Sequence, residues 1–246
     1  MDHPVSGQHG ALALVGSGEY LPAMAELEGK LLRSAIERGK LNRYVQLPLA
    51  AGRESPERLR YWQELGAAQA ERLDTEQVFL PIYTRDDAMR EDLAAKIDES
   101  ALIYISGGDP SYLADSLRGT PVWEAIERNW RAGSALAGCS AGAMALAADI
   151  PNFRKQSAPG TPGLNILPTI RTIPHYNKFF GWIPDQAVPL FLKAPPHITV
   201  VGIDEEAAIW SDDLESWTVV GKRSAHILTG EAKGEYKAGE TFRIKS

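Results

Sequence analysis

Short apolar runs alternate with longer amphipathic stretches through the first 140 residues. Leu12-Ala13-Leu14-Val15, Tyr44-Val45-Gln46-Leu47, Val78-Phe79-Leu80, Leu102-Ile103-Tyr104-Ile105 and Leu136-Ala137 form the runs. Near-continuous apolar runs of this length read as strands covered on both faces. Between them, the segment from about Pro22 to Arg38 places Met24, Leu27, Leu31, Leu32 and Ile36 at helical spacing. Ser55-Pro56 supplies an N-cap with proline at the first helical position and predicts a helix to about Leu73. A helix rich in acids and alanine is expected over about Asp86–Ser100, and another over Val122–Arg131. Strands and helices at these intervals make βαβ units. The expected fold is therefore α/β, a three-layer αβα sandwich with a mostly parallel central sheet and functional residues at the carboxyl ends of its strands.

The pattern changes after residue 150. Pro151–Pro162 carries three prolines and charged residues, and reads as a long loop or flap. Gly163–Leu167 and Arg171–Ile173 read as short strands, Pro184–Lys193 as a helix and Thr199–Ile203 as a strong strand. Ala207–Trp210, Trp217–Gly221, Ala225–Leu228 and Thr241–Ile244 suggest antiparallel strands closing the domain. No repeat, low-complexity tract or linker divides the chain, so residues 1–246 are expected to form one domain, with 1–10 as a polar tail.

One stretch carries recognisable chemistry. In Ser134–Ala148 an apolar run leads into Gly138-Cys139-Ser140-Ala141-Gly142, and an alanine-rich helical segment follows. This is G-x-S-x-G between a strand and a helix, the nucleophile elbow. The flanking glycines leave room for a sharp turn that exposes the Ser140 hydroxyl, and the helix start offers backbone N–H groups to a developing oxyanion. A serine nucleophile also needs a base and a carboxylate to orient it. Of five histidines, His3 and His9 lie in the tail, His197 follows Pro195-Pro196 in a turn, and His226 sits in a late strand. His175, at the end of a short strand after the elbow, is the candidate base.

Charge and cysteine content narrow the partners. A net charge of −6 with no basic cluster argues against nucleic acid and anionic membranes. No apolar run reaches membrane-spanning length, and no basic segment followed by an apolar one opens the chain, so a cytoplasmic location is expected. The single cysteine, Cys139, cannot form an internal disulfide or a cysteine-based metal site. Neither metal nor organic cofactor is expected: His and Cys show no ligand spacing, and Gly16-Ser17-Gly18 lacks the rest of a dinucleotide fingerprint.

Four blocks together resemble a family. Ser106-Gly107-Gly108-Asp109-Pro110-Ser111-Tyr112-Leu113, the SAGA elbow at Ser140–Ala143, Gly163-Leu164-Asn165-Ile166-Leu167-Pro168 leading to Pro174-His175-Tyr176, and Gly202-Ile203-Asp204-Glu205 occur in order. In this the chain resembles the cyanophycinase and aspartyl dipeptidase (peptidase E) serine peptidases, across roughly residues 12–210. The resemblance implies a class I glutamine amidotransferase-like, flavodoxin-like fold and hydrolysis of a short peptide or isopeptide. It implies Ser140 as nucleophile, His175 as base, and Gly107 or Gly108 with Ala141 as oxyanion donors. The orienting acid is Glu205 by the cyanophycinase pattern and Asp149 by the dipeptidase pattern, with Asp204 and Glu206 also open.

Asp109, Tyr176, Asn177 and Lys178 are candidate substrate contacts. The stretch His175–Trp182 lacks the arginines with which cyanophycinase-like members handle β-aspartyl-arginine. Phe179, Phe180 and Trp182 either wall an apolar pocket or pack in the core, and Arg154 and Lys155 in the flap are equally ambiguous. The alternative to a hydrolase is a catalytically silent binding or sensor protein on the same fold. An amidotransferase would need cysteine at position 140; Cys139 lies one residue early and reads as a buried packer. A homodimer is compatible with the fold.

Overall fold

The structure, a computed structural model, describes residues 9–151, 160–180, 188 and 195–244. The first half follows the predicted alternation: strands β1 (Leu12–Val15), β2 (Leu41–Leu47), β3 (Glu76–Phe79), β4 (Ser100–Ile105) and β5 (Ala135–Cys139). All five lie parallel, in the spatial order β3-β2-β4-β5-β1. Three antiparallel strands, β10 (Ala207–Ser211), β11 (Ser216–Gly221) and β14 (Thr241–Arg243), extend the sheet beyond β1 to eight strands.

Strand alternation sorts the core into two layers, since successive side chains point to opposite faces. Ala13, Val15, Tyr44, Leu102, Tyr104, Ala137 and Cys139 face helices α1 (Ala25–Glu37) and α2 (Pro56–Arg72). Leu12, Leu14, Val45, Leu47, Ile103, Ile105 and Leu136 face the other way, into a larger core with α5 (Pro110–Leu117), α6 (Pro121–Arg131) and α7 (Ala141–Ala145). This is the three-layer sandwich that the periodicity predicts. The caps match as well: Ser55 and Thr120 each accept the backbone N–H three residues on, and proline follows at the first helical position.

Three elements differ from the sequence expectation. The helix expected over Asp86–Ser100 is broken into α3 (Arg85–Ala88), α4 (Glu91–Ala94) and a 3₁₀ turn, Ala95–Ile97. A Thr84–Asp87 capping box starts α3, Arg90 is extended between the two pieces, and Glu99 turns through a left-handed conformation into β4. Buried Ala88, Leu93, Ala94 and Ile97 hold these short pieces on the core, so packing overrides local helix propensity. Gly163–Leu167 is not a strand: its N–H groups donate to carbonyls at the end of α7 and just beyond it, Leu164 to Ala145, Asn165 to Ala147 and Leu167 to Leu146. Helix α5 was not expected, although Asp109 caps it and Pro110 opens it.

The second half also builds a separate four-stranded sheet rather than simply closing the first. β8 (Ile170–Pro174) pairs in parallel with β9 (Thr199–Ile203), and β12 (Ala225–Ile227) and β13 (Gly234–Tyr236) follow antiparallel. β6 (Asp149–Ile150) and β7 (Thr161–Pro162) pair at the base of the proline-rich loop, most of which lies outside the described residues. The helix expected over Pro184–Lys193 lies outside them too, save Val188, which is helical and buried. Among the described residues no helix is long and apolar enough to cross a membrane.

Candidate active site

Ser140 stands where β5 ends and α7 begins, at φ 50°, ψ −108°. Its N–H donates to the Val15 carbonyl at 2.9 Å, which ties the turn to β1, and its carbonyl accepts from Met144 N–H at 3.1 Å. The flanking glycines are required by contact. A Cβ on Gly138 would lie 2.6 Å from the Gly142 carbonyl carbon, and one on Gly142 would lie 2.3 Å from the Ile105 carbonyl oxygen. Both obstacles are backbone, which cannot rotate aside.

His175 leaves the end of β8 in a left-handed conformation, φ 59°, ψ 41°, and its carbonyl receives the N–H groups of Lys178 and Phe179 at the start of α8 (Tyr176–Phe179). Its Nε2 lies 3.0 Å from Ser140 Oγ and its Nδ1 lies 3.0 Å from Glu205 Oε1. Strand pairing explains the second contact. β8 and β9 run parallel with Pro174 opposite Ile203, so His175 and Glu205 emerge from the same edge of neighbouring strands. Glu205 is held in turn by its own N–H, which donates to Asn177 Oδ1 at 2.9 Å. The exposed Lys178 brings its Nζ to 3.9 Å from Glu205 Oε1.

The other carboxylates point elsewhere. Asp149 pairs with the buried Arg171 at 2.5 Å, so the acid suggested by the dipeptidase pattern is engaged away from His175. Asp204 is buried, 3.4 Å from His226 Nε2, and accepts from Ser224 N–H. Glu206 pairs with Lys222 at 2.8 Å, and that ammonium holds its carboxyl below the usual glutamate value.

The glycine-rich exit of β4 reaches the elbow. A Cβ on Gly107 would lie 3.2 Å from Ser140 Cβ. Gly107 itself is not an available oxyanion donor, because its N–H donates to Glu19 Oε1 at 3.1 Å. Gly108 and Ala141 have N–H groups with no acceptor among the described residues. Gly108 takes φ 141° and packs against the Ala50 carbonyl, where no side chain fits. Cys139 is fully buried on the α1 side, away from the hydroxyl, and donates its S–H to Glu19 Oε2 at 3.1 Å. Burial, and then the Glu19 carboxylate, push its thiol pKa well up, which leaves it a protonated packer and no nucleophile.

The expected substrate contacts divide. Tyr176 is 1% exposed and packs in the core, its ring between Phe180 and His226 with centroids at 5.8 and 4.6 Å. Asn177 holds Glu205, and Asp109 caps α5 by accepting Tyr112 N–H at 3.0 Å. Lys178 and Phe179 remain at the rim; Phe179 is 57% exposed and sets its ring edge-on to His175 at 5.9 Å. Trp182, Arg154 and Lys155 lie outside the described residues. Sequence reasoning missed Glu19, whose only signal is an acid just after the glycine-bearing exit of β1. No group of three or more metal-ligating side chains occurs among the described residues.

An αβα sandwich with a strained serine on a glycine-flanked elbow, an imidazole beside it and a carboxylate behind the imidazole defines the serine-hydrolase class. Residues 12–218 match Peptidase family S51, and the chain belongs to that family. It is similar to cyanophycinase from Trichormus variabilis, with 27% identity over 81% of this chain and 68% of the relative. Cyanophycinase from Synechococcus elongatus is 26% identical over 92% and 70%. The crystal structure of a peptidase from an acI-B1 Actinobacterium superposes with a TM-score of 0.89 at 47% identity, covering 96% of this chain and 97% of that one. A putative peptidase E protein from Listeria monocytogenes shares the fold, with a TM-score of 0.57 at 19% identity over 87% and 98%. The chain is thus a peptidase-type hydrolase on the peptidase E-like, flavodoxin-like fold.

Proposed function

We propose that this hydrolase cleaves an amide bond in a short peptide or isopeptide through an acyl-enzyme on Ser140. The observation that carries the reading is the unbroken hydrogen-bond chain from Ser140 Oγ to His175 Nε2 and from His175 Nδ1 to Glu205 Oε1, 3.0 Å at each link. Glu205 accepts from Nδ1–H and so selects the tautomer whose Nε2 is free to take a proton. His175 removes the hydroxyl proton as Ser140 Oγ attacks the carbonyl carbon. The negative oxygen of the tetrahedral intermediate is met by the N–H groups of Gly108 and Ala141. His175 then returns the proton to the leaving amine as the C–N bond breaks, and activates the water that releases the acid and regenerates the serine. Lys178 and Phe179, exposed at the rim, are the described candidates for contact with the substrate chain.

Reaction with a fluorophosphonate probe tests this reading before any substrate is known, since phosphonylation requires an activated hydroxyl. The wild-type protein should be labelled at Ser140. Ser140→Ala should abolish labelling and lower hydrolysis of any confirmed substrate by roughly 10⁴-fold or more. Wild-type protein that resists the probe would favour the silent binding protein over the hydrolase.

A further inference from the structure

Glu19 is a buried acid that this mechanism leaves without a task. It lies in the turn after β1, 8% exposed, and no cation among the described residues pairs with it. Burying a carboxylate is costly unless donors replace its water. The two donors it has both belong to segments that frame Ser140. Oε1 accepts Gly107 N–H at 3.1 Å, and Oε2 accepts the S–H of Cys139, the residue before the nucleophile, at 3.1 Å. The neighbouring Tyr20 makes a parallel tie, with its hydroxyl 2.6 Å from Ser106 Oγ. Two consecutive residues of the β1 exit thus grip two consecutive residues of the β4 exit.

That grip fixes a peptide plane. The Ser106–Gly107 peptide precedes a glycine pair, and glycine gives little steric resistance to a peptide flip. With its N–H held by Glu19, Gly107 cannot turn toward Ser140, and Gly108 is left as the donor on this side of the elbow. We propose that Glu19 is a positioning residue of the oxyanion site. It anchors the Gly107 peptide and the base of the elbow, so that Gly108 N–H, together with Ala141 N–H, is aimed at the oxygen of the tetrahedral intermediate. This rests on the serine-hydrolase reading given above.

The experiment is the rate of fluorophosphonate labelling at Ser140, normalised to the folded fraction from a thermal melt, in three variants. Glu19→Leu fills the space but offers no acceptor, and should label on the order of 10²-fold more slowly, the usual effect of misplacing an oxyanion donor. Glu19→Gln keeps an oxygen for Gly107 N–H and should label within about threefold of wild type. Glu19→Asp keeps the charge but withdraws the acceptor by one methylene, and should label at least roughly tenfold more slowly; it supplies the test if the leucine variant does not fold. The pH profile of labelling, which reports His175, should keep its midpoint in all three. Leucine and aspartate variants that label at the wild-type rate once normalised would overturn the proposal, as would a glutamine variant as slow as leucine. Absence of labelling in the wild type would instead sink the hydrolase reading, and this inference with it.

Discussion

A residue at φ 50°, ψ −108° without being glycine sits in strained backbone space at a cost of order 1–3 kcal/mol, and Ser140 sits there. His175, also left-handed, is a second strained residue at the same site. Such strain persists only where surrounding contacts over-determine it, and here the Val15 carbonyl and the two glycine contacts do so. The carboxylates offer a clean dissociation at this scale. Glu205→Gln keeps an acceptor near Nδ1 but removes the charge that stabilises an imidazolium, and should lower turnover by roughly 10²–10⁴-fold with little change in melting temperature. Asp149→Asn should leave turnover within about threefold but lower stability by roughly 1–2 kcal/mol, because it weakens the ion pair of the buried Arg171. Turnover assays and urea melts of the two variants decide between them, and the reverse pattern would reassign the acid. Ser140 and His175 could be found in the sequence because the elbow is a local motif and the other histidines fall in poor places. Glu19 could not, since its meaning depends on Gly107 and Cys139, 88 and 120 residues away.

At the scale of elements, caps were the readable signal and packing the hidden one. Ser55-Pro56 fixed the start of α2, and Asp109-Pro110 offered the same signal for α5. The acid-rich stretch after Thr84 favours helix locally, yet the core needs only short anchored pieces there, a demand that propensity cannot express. α1 hides a second example. Glu28 reads as one more surface charge on an amphipathic helix, but it is fully buried, where Gln69 donates to it at 2.8 Å. Burial raises its pKa to about 8, so it is largely protonated at neutral pH in the folded protein. The unfolded chain releases that proton near the ordinary glutamate value of 4.5. Between these values the folded state binds more protons, so stability falls as pH rises from about 4.5 to 8. Glu28→Gln, neutral throughout, should flatten that slope, so that its stability relative to wild type rises by roughly 3–4 kcal/mol between pH 5 and pH 8. Urea melts at the two pH values measure it, and an unchanged slope would mean that Glu28 is not the titrating group.

The whole molecule joins two sheets to make one site. The eight-stranded sheet delivers Ser140 and the Gly107–Gly108 exit, and the four-stranded sheet delivers His175 and Glu205 from adjacent parallel strands. The sequence displayed β8, β9 and β12 of the second sheet but neither β13 nor their separation from the first, because alternation and turn residues say nothing about which neighbour a late strand chooses. Between β9 and α8 the fit is tight. A Cβ on Gly202 would lie 2.6 Å from the ring of Tyr176, the residue that follows His175. Gly202→Ala must therefore push Tyr176, and with it the backbone of His175, relative to Ser140 on the other sheet. Overpacking of this kind costs roughly 1–3 kcal/mol of stability. A displacement of about 1 Å between reacting groups can cost ~10²-fold in rate. Gly202→Ala should thus slow fluorophosphonate labelling by more than about tenfold under conditions where the protein remains folded. If the variant melts earlier but labels at the wild-type rate, the second sheet only supports the site and does not set the Ser140–His175 distance.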